Sequence, residues 1–378
     1  MTPLNILHVF RAPVGGLFRH VLDLAQEQIT RGHRVGMIAD SNTGGARADE
    51  VLGKLAPSLA FGVSRIPMRR HIGPGDASVL AHVMHRVKQT GADVVHGHGA
   101  KGGAYARMAL NASRAVRAYT PHGGSLLFGH DSVAGKFYLA TEKLLMWRGD
   151  LFLFESAYSA EVFRRKIGKP RGLIRVVHNG VSQKEFEPIT TQAGATDLVF
   201  MGEFRPVKGI DVLIDAIAQL HRGGRIVTAT LVGDGPEREA IHIQAQRLGL
   251  DKVIQFKPAM PPRQAQTLGR IMVIPSRAES LPYVVLEAAA GGMPLITTKV
   301  GGIPEIYGTL TGGLVPPEDV GALAQTIAYT LDHPDATADI ARRLRERIAA
   351  SFSVDTMVDG VLSAYQAALD RLRQSGRR

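Results

Sequence analysis

Short apolar runs alternate with amphipathic stretches along nearly the whole chain. Residues 4–10 (LNILHVF) form a buried-strand run. Residues 17–30 carry His20, Val21, Leu24, Ala25 and Gln28 at the spacings of a helix packed on a sheet. Further strand runs follow at 34–39, 93–96, 115–119, 151–154 and 174–177, with a helical pattern at 77–89. Residues 185–196, with Pro188 and few apolar anchors, read as a linker. The alternation then restarts. Strands are expected at 198–201, 226–232, 253–256, 271–275 and 294–298. Helices are expected at 210–220, from the Gly233-Asp234-Gly235-Pro236 turn to 248, at 263–268 and at 284–290. From Asp319 onward the pattern is helical, with amphipathic spacing through 341–348 and 357–372. Strands alternating with helices predict parallel sheets covered on both faces, an α/β chain in two halves.

At 378 residues, two domains of ordinary size are expected, each able to bury its own core. No apolar run reaches the roughly 18–20 residues that span a bilayer, and the first thirty residues lack a signal peptide's layout. The default compartment is therefore the cytoplasm. The absence of cysteine excludes disulfides and thiolate metal sites.

Charge changes the picture more. Residues 1–190 hold 25 Lys and Arg against 14 Asp and Glu, whereas residues 191–378 hold 20 of each, so the whole +11 lies in the first half. An anionic partner for that half is expected. Nucleic acid is disfavoured because no aromatic-basic interleaving or binding module accompanies the charge. Arg65, Arg69, Arg70, Arg107, Arg114, Arg117, Arg164, Arg165 and Lys166 supply much of it. The segment 137–147 (FYLATEKLLMW) adds a possible apolar face, which points to the inner surface of the cytoplasmic membrane.

The candidate chemistry sits where strands end. In the run 269–307, Ser276 to Ser280 form the loop after a strand, and Pro282 suits a first helical turn because it has no N–H to leave unpaired. The helix start at Ser280, Leu281 and Pro282 would face an anion above the strand ends. Glu279 lies in the loop and Glu287 inside the helix, with seven residues between them. Phosphates on the amides and hydroxyls on the acids would suit a nucleotide-sugar. Arg205 and Lys208, three apart before the helix at 210–220, would neutralise a diphosphate and the charge that develops as it leaves. Gly15-Gly16 marks the first strand-to-helix turn, where backbone can come close to a ligand, although a complete dinucleotide fingerprint is lacking. His122, in Thr120-Pro121-His122-Gly123-Gly124, follows a strand end. His96 and His98 share one face of a strand, but no nearby carboxylate completes a metal set, so no metal is expected. Asp234 reads as the cap of the helix that follows it.

Taken in register, S-R-A-E-S-L-P, the second glutamate, G-M-P and V-G-G-I-P-E closely resemble the Glu-x7-Glu region of retaining glycosyltransferases of family 4. The G-E-F-R-P-V-K-G segment, the H-G pair and the N-G-V at 179–181 resemble that family's other motifs. The resemblance implies the GT-B fold, two Rossmann-like parallel-sheet domains facing across a cleft. The acceptor-binding domain would span 1–188, the nucleotide-sugar-binding domain 189–354, and the last helix, from about 355 to 378, would pack back on the first domain. It further implies retaining transfer of a sugar from a nucleoside-diphosphate donor to a hydroxyl of a lipid-linked or saccharide acceptor, by a front-face route and without cofactor or metal. His122 would approach the transferred sugar, Glu279 would hold its hydroxyls, and Glu287 would hold the ribose. Arg205, Lys208 and the amides near Ser280 would hold the diphosphate, with Gly15 and Gly16 near it. A nucleotide-sugar 2-epimerase or phosphorylase, or a non-catalytic sugar-nucleotide-binding partner, could carry the same features. Acceptor-dependent nucleotide release separates these readings.

Overall fold

The computed structural model describes residues 2–109, 115–127, 129 and 131–375. Arg114 and residues 376–378 lie outside them. The chain divides into two compact units, Met1–Gly180 with Val354–Arg378, and Val181–Ser353.

Among the described residues, the first unit is built on a seven-stranded parallel sheet. Its strands are β1 (Asn5–Phe10), β2 (Arg34–Asp40), β3 (Val63–Ile66), β4 (Val94–His98), β5 (Val116–Thr120), β6 (Leu151–Phe154) and β7 (Leu173–Val176). Their order is β3-β2-β1-β4-β5-β6-β7, so the winding reverses between β1 and β4. The register sets His8 beside His96 and Phe10 beside His98. Helix Gly99–Met108 lies very close to the sheet: a Cβ at Gly102 would fall 2.2 Å from the Val9 carbonyl oxygen. Helix Val354–Gln374 covers the opposite face. Its Val354, Met357, Val358, Val361, Leu362, Tyr365 and Leu369 pack with Leu4, Ile6, Val94, Val116 and Leu151. Each such fully buried side chain contributes about 1.5–3 kcal/mol, far more than any cap or dipole on this helix.

The second unit carries β8 (Thr196–Met201), β9 (Ala229–Val232), β10 (Ile254–Lys257), β11 (Gly269–Ile274) and β12 (Leu295–Thr297), all parallel in the order β10-β9-β8-β11-β12. Its winding reverses between β8 and β11. In open α/β sheets, such a reversal leaves a crevice at the strands' carboxyl ends. The loops after β8 and β11 carry Arg205, Lys208, Glu279 and Ser280.

Several expectations change. Residues 185–196 belong to the second unit, where Ile189 N–H donates to the Gly291 carbonyl and Gln192 N–H to that of Thr267. Pro282 is the extended residue before helix Tyr283–Ala290 rather than its first helical residue. Asp234 does not cap the next helix, which starts after Glu237; its carboxylate accepts from the Gly235 N–H at 2.8 Å and tightens the turn. Arg107 is no part of a basic surface. It is fully buried, bonded to Glu142 at 2.8 Å and stacked on Tyr119. Helix Gly45–Leu55 and strand β3 were not anticipated.

Candidate active site

In the second unit, the two loops at the reversal are tied together. Lys208 Nζ donates to Glu279 Oε1 at 2.6 Å, and Ser276 Oγ donates to the same oxygen at 2.7 Å. The side chain of Lys208 is 25% exposed and that of Glu279 10%, so this ion pair is shielded but open on one side. Arg277 fixes the frame beneath it. Its guanidinium grips both Asp211 oxygens at 2.6 and 2.8 Å, reaches the Pro206 carbonyl and bonds Glu318. The hydrogen bond with Asp211 holds that guanidinium above its ordinary pKa. The Arg277 N–H also donates to the Val207 carbonyl at 2.8 Å.

Two glycines permit this closeness. Gly209 (φ 65°) precedes helix Ile210–Arg222, and a Cβ there would meet the Pro275 carbonyl oxygen at 2.1 Å. Gly301 (φ 58°) lies under the Glu279 carbonyl, where a Cβ would fall at 1.9 Å. The Gly302 N–H donates to the Ser280 carbonyl at 2.7 Å, and Thr298 Oγ1 to that of Ser276 at 2.6 Å. The loop carrying Glu279, Ser280 and Leu281 is thus held at both ends. Arg205 stands apart at the rim, half-exposed and 3.6 Å from Glu203. Glu287 is buried within helix Tyr283–Ala290, one turn beyond its start. The structure brings Lys208 and Glu279 into contact, with Ser280, Leu281 and Pro282 on the same loop. Ser276, Arg277 and Asp211 were missed; the only signal in the sequence was their place beside the glutamate and lysine.

In the first unit, Gly15 and Gly16 open helix Gly15–Thr30, with Gly15 at φ 62°. His122 follows β5 at φ 50°, a left-handed backbone uncommon for any residue but glycine. Its half-buried ring lies 4.7 Å from that of His20 and 5.3 Å from that of His98, centroid to centroid. A buried imidazole cluster surrounds it. His8 Nδ1 and His98 Nε2 are paired at 2.9 Å, and His98 Nδ1 and His122 Nε2 at 3.1 Å. His8 Nε2 meets Gln28 Oε1 at 2.8 Å, and His20 Nδ1 meets Asn179 Oδ1 at 3.0 Å. His96 bonds Tyr365 at 2.6 Å and Thr120 at 2.8 Å.

Burial disfavours the charged form, so His8 and His20 are each lowered to about 4, while His96, His98 and His122 are held well below the usual range. Nitrogens of His8, His96 and His98, and of His20, His98 and His122, lie within 4.8 Å of one another, near enough for each trio to share an ion. Most of those nitrogens are already engaged in the hydrogen bonds just named. His8 and His20 were missed as site residues because each occupies a position that the apolar pattern assigns to the core.

The family model described as Glycosyltransferase Family 4 matches residues 14–185, and that described as Glycosyl transferases group 1 matches residues 195–333. The chain is 28% identical over 241 residues to a glycogen synthase of Mycobacterium tuberculosis, covering 62% of this chain and 58% of that protein. It is 29% identical over 243 residues to the putative colanic acid biosynthesis glycosyltransferase WcaL of Escherichia coli, covering 61% and 60%. The matched stretches thus span less than two thirds of these relatives' length. Two solved structures share the whole architecture. Sucrose-phosphate synthase from Thermosynechococcus elongatus superposes with a TM-score of 0.81 at 20% identity, covering 97% of this chain and all of that one. HepE from Anabaena, in complex with UDP-glucose, superposes with a TM-score of 0.79 at 22% identity, covering 96% of this chain and all of that one. At such identity these two likenesses speak for the fold. The two family models, which match separate stretches of the chain, show that it belongs to the family 4 glycosyltransferases, and the two structures show that it has the GT-B fold.

Proposed function

We propose that this chain transfers a sugar, with retention, from a nucleoside diphosphate to a hydroxyl of a saccharide or lipid-linked acceptor, in polysaccharide or glycolipid assembly. One observation carries the reading: Lys208 on Glu279 at 2.6 Å, on the two loops that flank the second sheet's reversal. A fixed cation and a fixed carboxylate, side by side at a strand-end crevice, match a diphosphate and a sugar hydroxyl. UDP-glucose in HepE and the colanic acid role in WcaL's name support the substrate class.

In this reading the donor's C1–O bond breaks toward the diphosphate. Lys208, Arg205 and the backbone at Ser280 and Leu281 stabilise the charge gathering there. The leaving phosphate oxygen takes the acceptor's proton as the acceptor oxygen bonds C1 on the same face, so no further base or metal is required. Glu279 holds sugar hydroxyls, Glu287 the ribose and His122 the transferred sugar, while Gly15 and Gly16 leave room at the first helix start. The protein acts in the cytoplasm. Its first unit rests on an anionic membrane surface through helix Val133–Met146, which exposes Val133, Phe137 and Leu144, followed by exposed Trp147. Among the described residues, no helix is long and apolar enough to cross a membrane.

The test is a panel of UDP- and GDP-sugars read by thermal shift, then nucleotide release with and without candidate acceptors. A bound donor stabilises the fold by mass action, and release that requires acceptor supports transfer. Release of free sugar without acceptor would favour the epimerase reading. No shift with any donor would overturn donor binding. Flotation with phosphatidylglycerol vesicles at low and high salt checks the membrane surface, and equal recovery on neutral vesicles would count against it.

A further inference from the structure

The imidazole cluster of the first unit has a direction, and Gln28 sets it. An amide oxygen only accepts, so His8 Nε2 must carry a proton to bond Gln28 Oε1 at 2.8 Å. His8 is neutral, so its Nδ1 is bare. The 2.9 Å link then requires His98 Nε2–H to donate to His8 Nδ1. His98 is neutral as well, so its Nδ1 is bare and must accept from His122 Nε2–H at 3.1 Å. His122 is left with a bare Nδ1. Asn179 acts on His20 in the same way. Its Oδ1 accepts the Nδ1 proton at 3.0 Å, and the buried His20 Nε2 is left bare, with no hydrogen-bond partner among the described residues.

We propose that Gln28, His8 and His98 are positioning residues that lock His122 in its Nε2–H tautomer, so that it meets a sugar hydroxyl as an acceptor. This rests on the assignment of His122 to the transferred sugar. A neutral imidazole meets a hydroxyl either as acceptor or as donor, and the choice is made through two further rings, at a fully buried amide. The left-handed backbone at His122 fits this role, since it brings the ring over His98 at a cost that the surrounding packing must sustain.

Long-range ¹H–¹⁵N correlation spectra of the ligand-free protein, labelled at histidine, report each tautomer directly. Wild-type His8, His98 and His122 should all be Nε2–H with a bare Nδ1. In Gln28→Leu, the His8 Nε2–H loses its acceptor and the proton moves to Nδ1. Every link then reverses, and His122 becomes Nδ1–H. Gln28→Glu keeps an acceptor at the chain's end and should restore Nε2–H throughout. The wrong tautomer of a catalytic histidine can cost about 10⁴ in rate where that ring carries the proton. Here the ring only contacts the sugar, and we expect kcat to fall by about tenfold in Gln28→Leu with the donor KM unchanged, recovering in Gln28→Glu.

A wild-type His122 that is Nδ1–H or doubly protonated would overturn the proposal, as would a His122 tautomer that does not move in Gln28→Leu. Stoichiometric zinc in the purified protein, bound through a ring nitrogen of His98, would overturn it in favour of a metal centre. A switched tautomer with unchanged turnover would leave the chain standing and sink the assignment of His122 to the sugar. If Gln28→Leu does not fold, the wild-type and Gln28→Glu spectra still decide the direction.

Discussion

Lowering the pH from 7 to 5 should strip the first unit of a large part of its stability. His8 and His20 are neutral in the fold, each lowered by burial from the ordinary value of 6.5 to about 4. The unfolded chain therefore begins to take up protons near pH 6.5, where the folded one cannot. Stability is complete above that value, falls as the pH drops through the window, and stops falling near pH 4. With these two values, linkage gives a loss of about 2 kcal/mol per histidine at pH 5. Two residues thus remove about 4 kcal/mol from a domain whose total is on the order of 5–15 kcal/mol. His96, His98 and His122 act in the same direction. The assay is urea unfolding at pH 7, 6 and 5 for the wild type and for His8→Asn and His20→Asn. Each substitution lowers stability at pH 7, but it should shrink the difference between pH 7 and pH 5 by about 2 kcal/mol. A wild type equally stable at both pH values, or variants with the same pH difference as the wild type, would refute the idea of a neutral buried cluster.

Lys208→Ala should lower turnover by at least about a hundredfold, the scale for one lost charge-stabilising group, and wild-type activity should survive EDTA; abolition by chelator and rescue by manganese would reverse that expectation. Glu279→Gln should lower kcat with little change in donor affinity, whereas Glu287→Ala should weaken donor binding by calorimetry, because the sugar changes in the transition state and the ribose does not. Glu142→Gln should cost about 3–5 kcal/mol, because Arg107, fully buried, loses its charged partner. The paired change Arg107→Met with Glu142→Leu should recover most of that loss in chemical unfolding.

Most strands, such as β1, β4, β6, β9 and β11, were legible because they are runs of buried residues, and burial is what apolar patterning reports. β3 escaped because all four of its residues are only half-buried at the sheet's edge, so nothing in Val63–Ile66 alternates. The paired charges Arg205 and Lys208 were legible as a spacing, but their partners were not. Lys208 lies against Glu279 while Arg205 stays at the rim, a difference fixed by the Arg277–Asp211 anchor and by the close approaches at Gly209 and Gly301. His8, His20 and Gln28 were hidden by the pattern itself. They occupy inward positions of β1 and helix Gly15–Thr30, where periodicity marks a site as buried and is silent about whether oil or imidazole fills it. Pairing between distant segments, such as His20 with Asn179, leaves no trace in local spacing.

The helix Val354–Gln374 has a consequence for the order in which the molecule can be assembled. The second unit is one continuous stretch, Val181–Ser353, and can close as soon as it has been synthesised. The first unit cannot. Until residues 354–374 emerge, the face of its sheet bearing Leu4, Ile6, Val94 and Val116 lacks most of its cover, and His96 lacks the Tyr365 hydroxyl that bonds it across 269 residues. The part begun first is therefore finished last, with a sticky sheet waiting through the synthesis of an entire domain. A released chain truncated after Ser353 should present a protease-resistant second unit beside a first unit still open to digestion and to chaperones. Addition of the final helix should close the first unit.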